Sequence, residues 1–281
     1  MNKREELARI AKETLNIVDQ GFYKNSLNEK VNIKSEVDKS VAGTILYTPK
    51  DTSDILLRLK PEGKYQTKIR VTNETTLSAA KKLKEAEEEK VLALNFASAK
   101  NPGGGFLKGS PAQEESLARA SSLYESLISK GEMYEYNKKL KTCLYSDYMI
   151  YTPDAVIIRN NEGDLENKPY SVSFITSPAV NAGVVRGRES VAAQNQIHPV
   201  MKKRIEKILV LGIHHGYKKI VLGAFGCGVF KNRPEDVSSY FKEVILKNPK
   251  IRNQYEEIVF AVLDLTDKKQ TYQTFKKIME S

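Results

Sequence analysis

The chain has 281 residues, 40% of them hydrophobic and 28% charged, which is the make-up of a globule long enough to bury a sizeable core. Its longest apolar runs fall well short of the roughly 18 residues a membrane helix needs. The formal net charge of +10 would attract a polyanion such as nucleic acid, a membrane surface or another phosphate polymer, but no Lys/Arg stripe interleaves with aromatics to name one.

Two cysteines, Cys143 and Cys227, exclude a disulfide framework, and three histidines give no zinc spacing. No metal and no cofactor are therefore expected, and a reducing cytoplasm is the expected location. The first residues, MNKREELARIAKETLNIV, are charged and helix-patterned, unlike a signal peptide. Arg4 to Asp19 predicts an amphipathic helix with Leu7, Ile10, Ala11, Leu15 and Val18 on one face, stopped by Gly21. Val31 to Val37 alternates apolar and polar residues and predicts a half-buried strand. Val41 to Tyr47 would be its hairpin partner, ended by Pro49. Asp51 to Lys64, with Pro61 and Gly63, is irregular. Tyr65 to Val71 predicts a strand and Thr75 to Lys90 a helix.

Val91 to Phe96 is a nearly continuous apolar run, as expected of a strand buried on both faces in a parallel sheet. Leu117 to Ile128 predicts a helix, and Glu132 to Leu140 continues helically. Met149 to Tyr151 and Ala155 to Arg159 predict short strands around Pro153, and Ser171 to Thr176 a further one. The stretch AVNAGVVRGRE that follows reads as a loop. Ser190 to Gly216 predicts one long helix, bent or broken by Pro199. Ile220 to Leu222 and Ile258 to Leu263 predict buried strands. A helix opens at Arg233-Pro234 and runs to Leu246, and another spans Gln270 to Glu280. Apolar strands alternating with helices over the C-terminal two-thirds imply a sheet covered on both faces.

Two glycine-rich loops stand out. Gly103, Gly104 and Gly105 follow the Val91 strand. Without Cβ atoms they let backbone approach a ligand and adopt positive φ, at the highest entropic cost of any residue. A helix starts directly after them. Ser110 reads as its N-cap, Pro111 as its first residue and Gln113 as the far member of a capping box. Glu114 and Glu115 then fall in its first turns, near the positive end of the dipole. On their own they would be ordinary dipole partners; beside three glycines they read as a site. A glycine loop between strand and helix suits a phosphate or a sugar.

The second loop, GAFGCGVF, covers Gly223, Ala224, Phe225, Gly226, Cys227, Gly228, Val229 and Phe230 between a buried strand and a helix. It lacks the Gly-x-Gly-x-x-Gly spacing. In an open α/β sheet two such loops meet outside the strand C-termini, where ligands bind. One would hold a diphosphate by backbone amides and the other a sugar. Phe225 and Phe230 are placed either to pack on ribose or adenine or to fill the core. Cys227, with no His or basic neighbour, reads as a small loop residue rather than a nucleophile.

Gly103 to Gly105 followed by Gln113, Glu114 and Glu115 resembles the signature of poly(ADP-ribose) glycohydrolases, whose catalytic module is a macrodomain. The segments LNFASAKNPGGGF, AKETLNI, VTNETTLSAA, SPAVNAG and GAFGCGVFKN resemble the bacterial-type branch, so the likeness spans most of the chain. The resemblance implies a three-layer α/β/α macrodomain-like fold with a mixed, largely parallel sheet. It implies one domain over 1–281, with an N-terminal helical and hairpin extension of about residues 1–65 packed on it. Residues from Gly103 to Gln113, Phe106 among them, would wrap the distal ribose, with Asn101 a further ribose contact. Glu114 would orient the sugar and Glu115 would be the catalytic acid/base. Gly223 to Phe230 would be the diphosphate loop, and Asn181 would approach the ligand.

The implied reaction is hydrolysis of ribose–ribose bonds in poly(ADP-ribose), releasing ADP-ribose, by a monomeric enzyme away from any membrane. The same pocket would serve a hydrolase of single ADP-ribose units on protein, nucleic acid or a metabolite, or a non-catalytic ADP-ribose reader. The intact Glu pair argues against a reader. The charge alone leaves a nucleic-acid-binding protein as the fourth reading, recognisable by steep salt dependence.

Overall fold

The computed structural model describes residues 2–86 and 90–281. The first helix, α1 (Lys3–Gln20), starts on a capping box of Asn2 and Glu5 and ends on Gly21 at φ 78°, the left-handed stop that glycine permits. Among the described residues, a short hairpin in this region joins β1 (Phe22–Lys24) to β2 (Lys30–Asn32). The strand expected over Val31 to Val37 ends at Asn32, and α2 (Lys34–Ala42) takes its second half. Helical spacing wins there because Val37 and Val41, four residues apart, pack together with Ile33 against Val156 and Ile158. The strand β3 (Ile45–Tyr47) is shorter than expected and pairs with a distant strand rather than its predecessor. The segment read as irregular contains α3 (Pro49–Arg58), opened by Thr48 and Asp51 as a capping box with Pro49 at the first position.

The strands β4 (Lys68–Thr72) and β5 (Val91–Phe96) flank α4 (Thr76–Ala86); the predicted continuation of that helix over 87–89 lies outside the described residues. The helix expected over Leu117 to Ile128 is two, α5 (Gln113–Ala120) and α6 (Leu123–Ile128). Ser121 and Ser122 break it by bonding elsewhere. The Ser121 hydroxyl donates to Leu117 O, and Ser122 exchanges two bonds with the Val156 backbone. After α7 (Glu132–Lys139) come β6 (Met149–Arg159) and β7 (Leu165–Ser177), a long antiparallel pair. The two short strands expected around Pro153 are one strand, with a register shift between Thr152 and Ala155 absorbing the proline.

The stretch read as a loop holds α8 (Ala182–Arg188), and the long helix is split into α9 (Val191–Asn195) and α10 (Ile197–His214). Pro199 falls in the first turn of α10, where a missing N–H costs nothing. The chain closes with β8 (Lys219–Leu222), α11 (Pro234–Lys247), β9 (Glu257–Ala261) and α12 (Gln270–Met279).

Seven strands form the main sheet among the described residues, in the order β3-β6-β7-β5-β8-β9-β4. From β7 to β4 all pairs are parallel, while β6 and β3 add antiparallel pairs at one edge. Alternation along β5 shows the layering. Leu92 and Leu94 face a core built on α10, α11 and α12, whereas Val91 and Ala93 face one built on α4, α5, α6 and α7. This is the expected three-layer α/β/α arrangement. Its consequence for function is that β5, β8, β9 and β7 run parallel, so their carboxyl ends emerge side by side.

Candidate active site

The site is assembled at the end of β5. Gln113, the first residue of α5, is tied to that strand through its carboxamide. The oxygen accepts from Phe96 N at 2.9 Å, and the nitrogen donates to Leu94 O at 2.8 Å and to Thr76 Oγ1 at 3.1 Å. The expected capping box does not form. Ala112 is the N-cap and gives no side-chain cap, because Gln113 is committed to the strand and cannot reach back to Ser110. Instead Ser110 O accepts from the Arg119 guanidinium at 2.5 Å, which folds the loop against its own helix. Gln113 is therefore a latch that sets where α5 begins.

The latch decides where the two carboxylates go. Successive helical residues point about 100° apart, so one turns inward and one outward. Glu114 is buried, at 2% exposure. Its Oε2 accepts from Ser98 N at 2.6 Å, and Asn95 Nδ2 lies 3.4 Å from Oε1. Burial pushes its pKa up to about 8, with the Glu115 charge adding to the rise and the Ser98 and Asn95 bonds opposing it. Glu115 turns to the cavity. Its Oε1 accepts from Gly105 N at 2.9 Å, and its Oε2 makes no hydrogen bond among the described residues.

The glycine run fits round this pair. Gly103 and Gly104 have φ of 67° and 59°. A Cβ on Gly104 would collide with the Glu115 carboxylate and stand 3.1 Å from Glu114 Oε2. Here glycine is required twice over, for the backbone conformation and for the approach.

The second loop follows β8, the parallel neighbour of β5. Gly226 has φ 72°, and a Cβ there would strike Ala179 and Asn232. Asn232, buried just after the loop, holds it by donating from Nδ2 to Val180 O at 2.8 Å and Gly226 O at 3.0 Å. Among the described residues, the amides of Gly226, Gly228, Val229 and Phe230 donate to no protein acceptor. Unspent N–H groups on a short loop are the donors that an anion-binding concavity uses. Burial pushes the Cys227 thiol up to about 12, with Glu235 and Asp236 adding to the rise, so it stays a neutral thiol.

Both loops wall one cavity of about 1320 Å³. Asn101, Gly104, Gly105, Phe106, Gln113, Glu114 and Glu115 line it, as do Ala224, Gly226, Cys227, Gly228, Val229 and Phe230. Four expected residues stand outside its wall. Gly103 backs onto the Phe106 and Tyr124 rings, Gly223 lies against Ala261 O and Phe96, and Asn181 caps α8 by accepting from Val184 N. Phe225 is fully buried on Phe96, with ring centroids 5.9 Å apart; of its two sequence readings, core packing is the one the geometry gives. Sequence reasoning passed over Asn95, Ser98, Arg119 and Asn232. The signal available for Asn95 was a lone amide inside the apolar run VLALNF.

A family model of the microbial-type PARG catalytic domain matches residues 11–160. The poly(ADP-ribose) glycohydrolase (PARG) of Thermomonospora curvata is 38% identical over 98% of this chain and 100% of that one, with a TM-score of 0.93. The same enzyme bound to the inhibitor ADP-HPD gives 0.91, over 98% and 99% of the two chains at 38% identity. The Deinococcus radiodurans enzyme in complex with ADP-ribose gives 0.82 at 38% identity, over 89% and 98%. Comparison with curated sequences gave no match.

Proposed function

The chain belongs to the microbial-type poly(ADP-ribose) glycohydrolase family, and from that premise we propose how its residues divide the work of the reaction. The protein is a glycosidase that hydrolyses poly(ADP-ribose). The four free amides from Gly226 to Phe230 take the diphosphate of the terminal ADP-ribose unit. The Gly103–Gly105 turn carries the distal ribose. Glu114, kept neutral by burial, exchanges hydrogen bonds with its hydroxyls and avoids placing a second negative charge beside Glu115. Glu115 is the acid/base. Gly105 N fixes one carboxyl oxygen, leaving Oε2 to carry the proton.

The bond between the anomeric carbon and the ribose oxygen of the next unit breaks with its electron pair going to that oxygen, which takes the Glu115 proton. The sugar passes through an oxocarbenium-like state. Water adds to the anomeric carbon and returns a proton to the Glu115 carboxylate. The usual second carboxylate across the sugar is replaced by the substrate's own diphosphate, whose negative charge lies near the developing positive charge.

The observation that carries this reading is the carboxyl of Glu115, held by Gly105 N, on the cavity that both glycine loops line. Incubation with poly(ADP-ribose) and chromatography of the products tests it. ADP-ribose is expected from the parent. Glu115→Gln should bind ADP-ribose normally and turn over about 10²- to 10⁴-fold more slowly, the range for a lost general acid. Parental turnover in that variant would refute the assignment.

We place the enzyme in the cytoplasm, supported by two cysteines that are both free; no helix of the described residues is long and apolar enough to cross a membrane. We also read 1–281 as one domain. The N-terminal extension is tied to the site, with Arg4 Nε donating to Lys108 O at 2.8 Å and Thr14 Oγ1 donating to Arg119 O at 2.6 Å.

A further inference from the structure

One residue behind the site sits in a backbone conformation that its side chain disfavours. Tyr145, in the segment 140–148 between α7 and β6, has φ 56°. Glycine or asparagine would sit there easily, whereas a bulky aromatic is an outlier. Such strain persists only where the surroundings over-determine it, and here they do. Ahead of Tyr145, the Glu189 carboxylate accepts from Thr142 Oγ1 and from Cys143 N, each at 2.5 Å. Behind it, Ser146 N donates to Asn137 Oδ1 at 2.8 Å. The Tyr145 carbonyl itself accepts from Arg204 Nη2 at 3.1 Å, while Arg204 Nε and Lys207 Nζ each donate to an oxygen of Asp147 at 3.0 Å. Arg204 is fully buried, so the segment is pinned to α10 by a residue that cannot swing away.

What this pinning presents is a ring. Tyr145 packs on Phe230 with centroids 5.9 Å apart and planes at 44°, within the range of a favourable aromatic pair. Burial pushes its hydroxyl up to about 12, with Cys143 adding to the rise and a hydrogen bond to the Asn181 side chain opposing it. Asn181, which the sequence suggested would approach the ligand, therefore meets this phenol. Phe230 lines the cavity and Tyr145 stands outside its wall. The loop has few other supports near Phe230. Phe230 O accepts from Gly183 N and Gly228 O from Lys231 N, both at 3.0 Å. Gly228 and Val229 are exposed, and a Cβ on Gly228 would meet nothing within 4 Å.

We propose that Tyr145 is a positioning residue for the reaction: its ring braces Phe230 from outside the cavity and so keeps the amides of Gly228, Val229 and Phe230 in the geometry that takes the diphosphate. The inference rests on the reading of the 223–230 loop as the diphosphate site. It explains why an aromatic is kept where the backbone favours glycine.

Three substitutions separate bracing from stability. Tyr145→Ala removes the ring and keeps the backbone penalty, Tyr145→Gly removes both, and Tyr145→Phe keeps the ring and loses the hydroxyl. ADP-ribose affinity is read by calorimetry, KM on poly(ADP-ribose) by a turnover assay, and Tm by thermal unfolding. Tyr145→Ala and Tyr145→Gly should both bind ADP-ribose about two- to tenfold more weakly, the worth of one aromatic pair expressed as affinity, with a raised KM. Tyr145→Gly should nevertheless melt higher than Tyr145→Ala, and Tyr145→Phe should bind within about twofold of the parent, less than the worth of that pair. In a double-mutant cycle, Tyr145→Ala should cost no further affinity once Phe230→Ala has removed the ring it supports.

Parental affinity in Tyr145→Ala would overturn the proposal. So would recovery of affinity along with Tm in Tyr145→Gly, which is the mark of a merely structural role, or additive losses in the cycle, which would mean that Tyr145 does not act through Phe230. A parent that binds no ADP-ribose would overturn both the proposal and the functional reading beneath it, whereas the other adverse results leave that reading standing.

Discussion

Replacing Glu114 by Gln should change how stability depends on pH. The carboxyl is buried and its folded pKa stands at about 8 against an unfolded value of 4.5. Between those values the folded state holds a proton that the unfolded chain has released. Stability therefore falls as pH rises through this window, with a slope of up to about 1.4 kcal/mol per pH unit for one proton. From about pH 5 to about pH 8 the loss accumulates to at most roughly 4 kcal/mol. The direction is opposite to that of a salt-bridged carboxylate, which stabilises as pH rises.

Gln is close in volume, can accept from Ser98 N through its carboxamide oxygen, and has no charge to bury. The assay is urea unfolding of parent and Glu114→Gln at matched ionic strength across that pH range. Taking the difference between the two proteins at each pH cancels the groups they share. The difference should move against the parent as pH rises. A flat difference would mean that Glu114 is ionised when folded. It would also remove the argument that its neutrality spares Glu115 a like charge.

Gly104→Ala should cost roughly 1–2 kcal/mol in backbone strain at its left-handed φ and push the Glu115 carboxyl aside, lowering turnover about 10²-fold; a melting curve and a polymer assay check both. Asn232→Ala should remove the side-chain donor from Val180 O and Gly226 O, which keep only the Ala182 and Asn232 amides, costing about 0.5–1.5 kcal/mol per bond and weakening ADP-ribose binding, so unchanged calorimetric affinity would separate Asn232 from the loop's anion grip. Because the Cys227 thiol is pushed up to about 12, it should react with iodoacetamide at mildly alkaline pH far more slowly than free cysteine; mass spectrometry of its peptide reads the rate, and labelling at the free-thiol rate contradicts the burial argument.

The parts of this fold legible from the sequence are those governed by a single dominant signal. The run Val91–Phe96 reads as a strand buried on both faces because every residue but the last is buried. Gly21 stops α1 because the chain needs a positive φ there. The N-terminal segment was harder because two periods overlap in it. Residues 31–37 alternate like a strand, yet Ile33, Val37 and Val41 also share a helical face, and contact with Val156 on β6 decides between them. The break between α5 and α6 has the same origin, since Ser121 and Ser122 are held by a strand far away in sequence. At the site, the glycines and the Glu pair were legible as a local pattern. Asn232 was not, because its function is to bond Val180 and Gly226, and neither partner is indicated by its own neighbourhood.

The same reasoning explains why two adjacent glutamates can take different roles. Adjacent helical side chains cannot flank a sugar from opposite sides, so this pair cannot work as a nucleophile and an acid. What adjacency does provide is divergence: a rotation of about 100° sends one carboxyl beneath the chain after β5, buried in the cavity's wall, and leaves the other half-exposed at the cavity. For that divergence to be useful the helix must begin at a fixed residue, since a shift of one position would bury Gln113 or Glu115 instead of Glu114. A hydroxyl cap such as Ser110 would bond only the amides of its own first turn and leave the helix free to move with the loop. Gln113 bonds Phe96 N, Leu94 O and Thr76 Oγ1, all belonging to the sheet or the helix beside it. The missing capping box is thus a consequence of function: the helix is registered to the strand that carries the glycine loop, which keeps Glu115 Oε1 on Gly105 N and aims the remaining oxygen at the cavity.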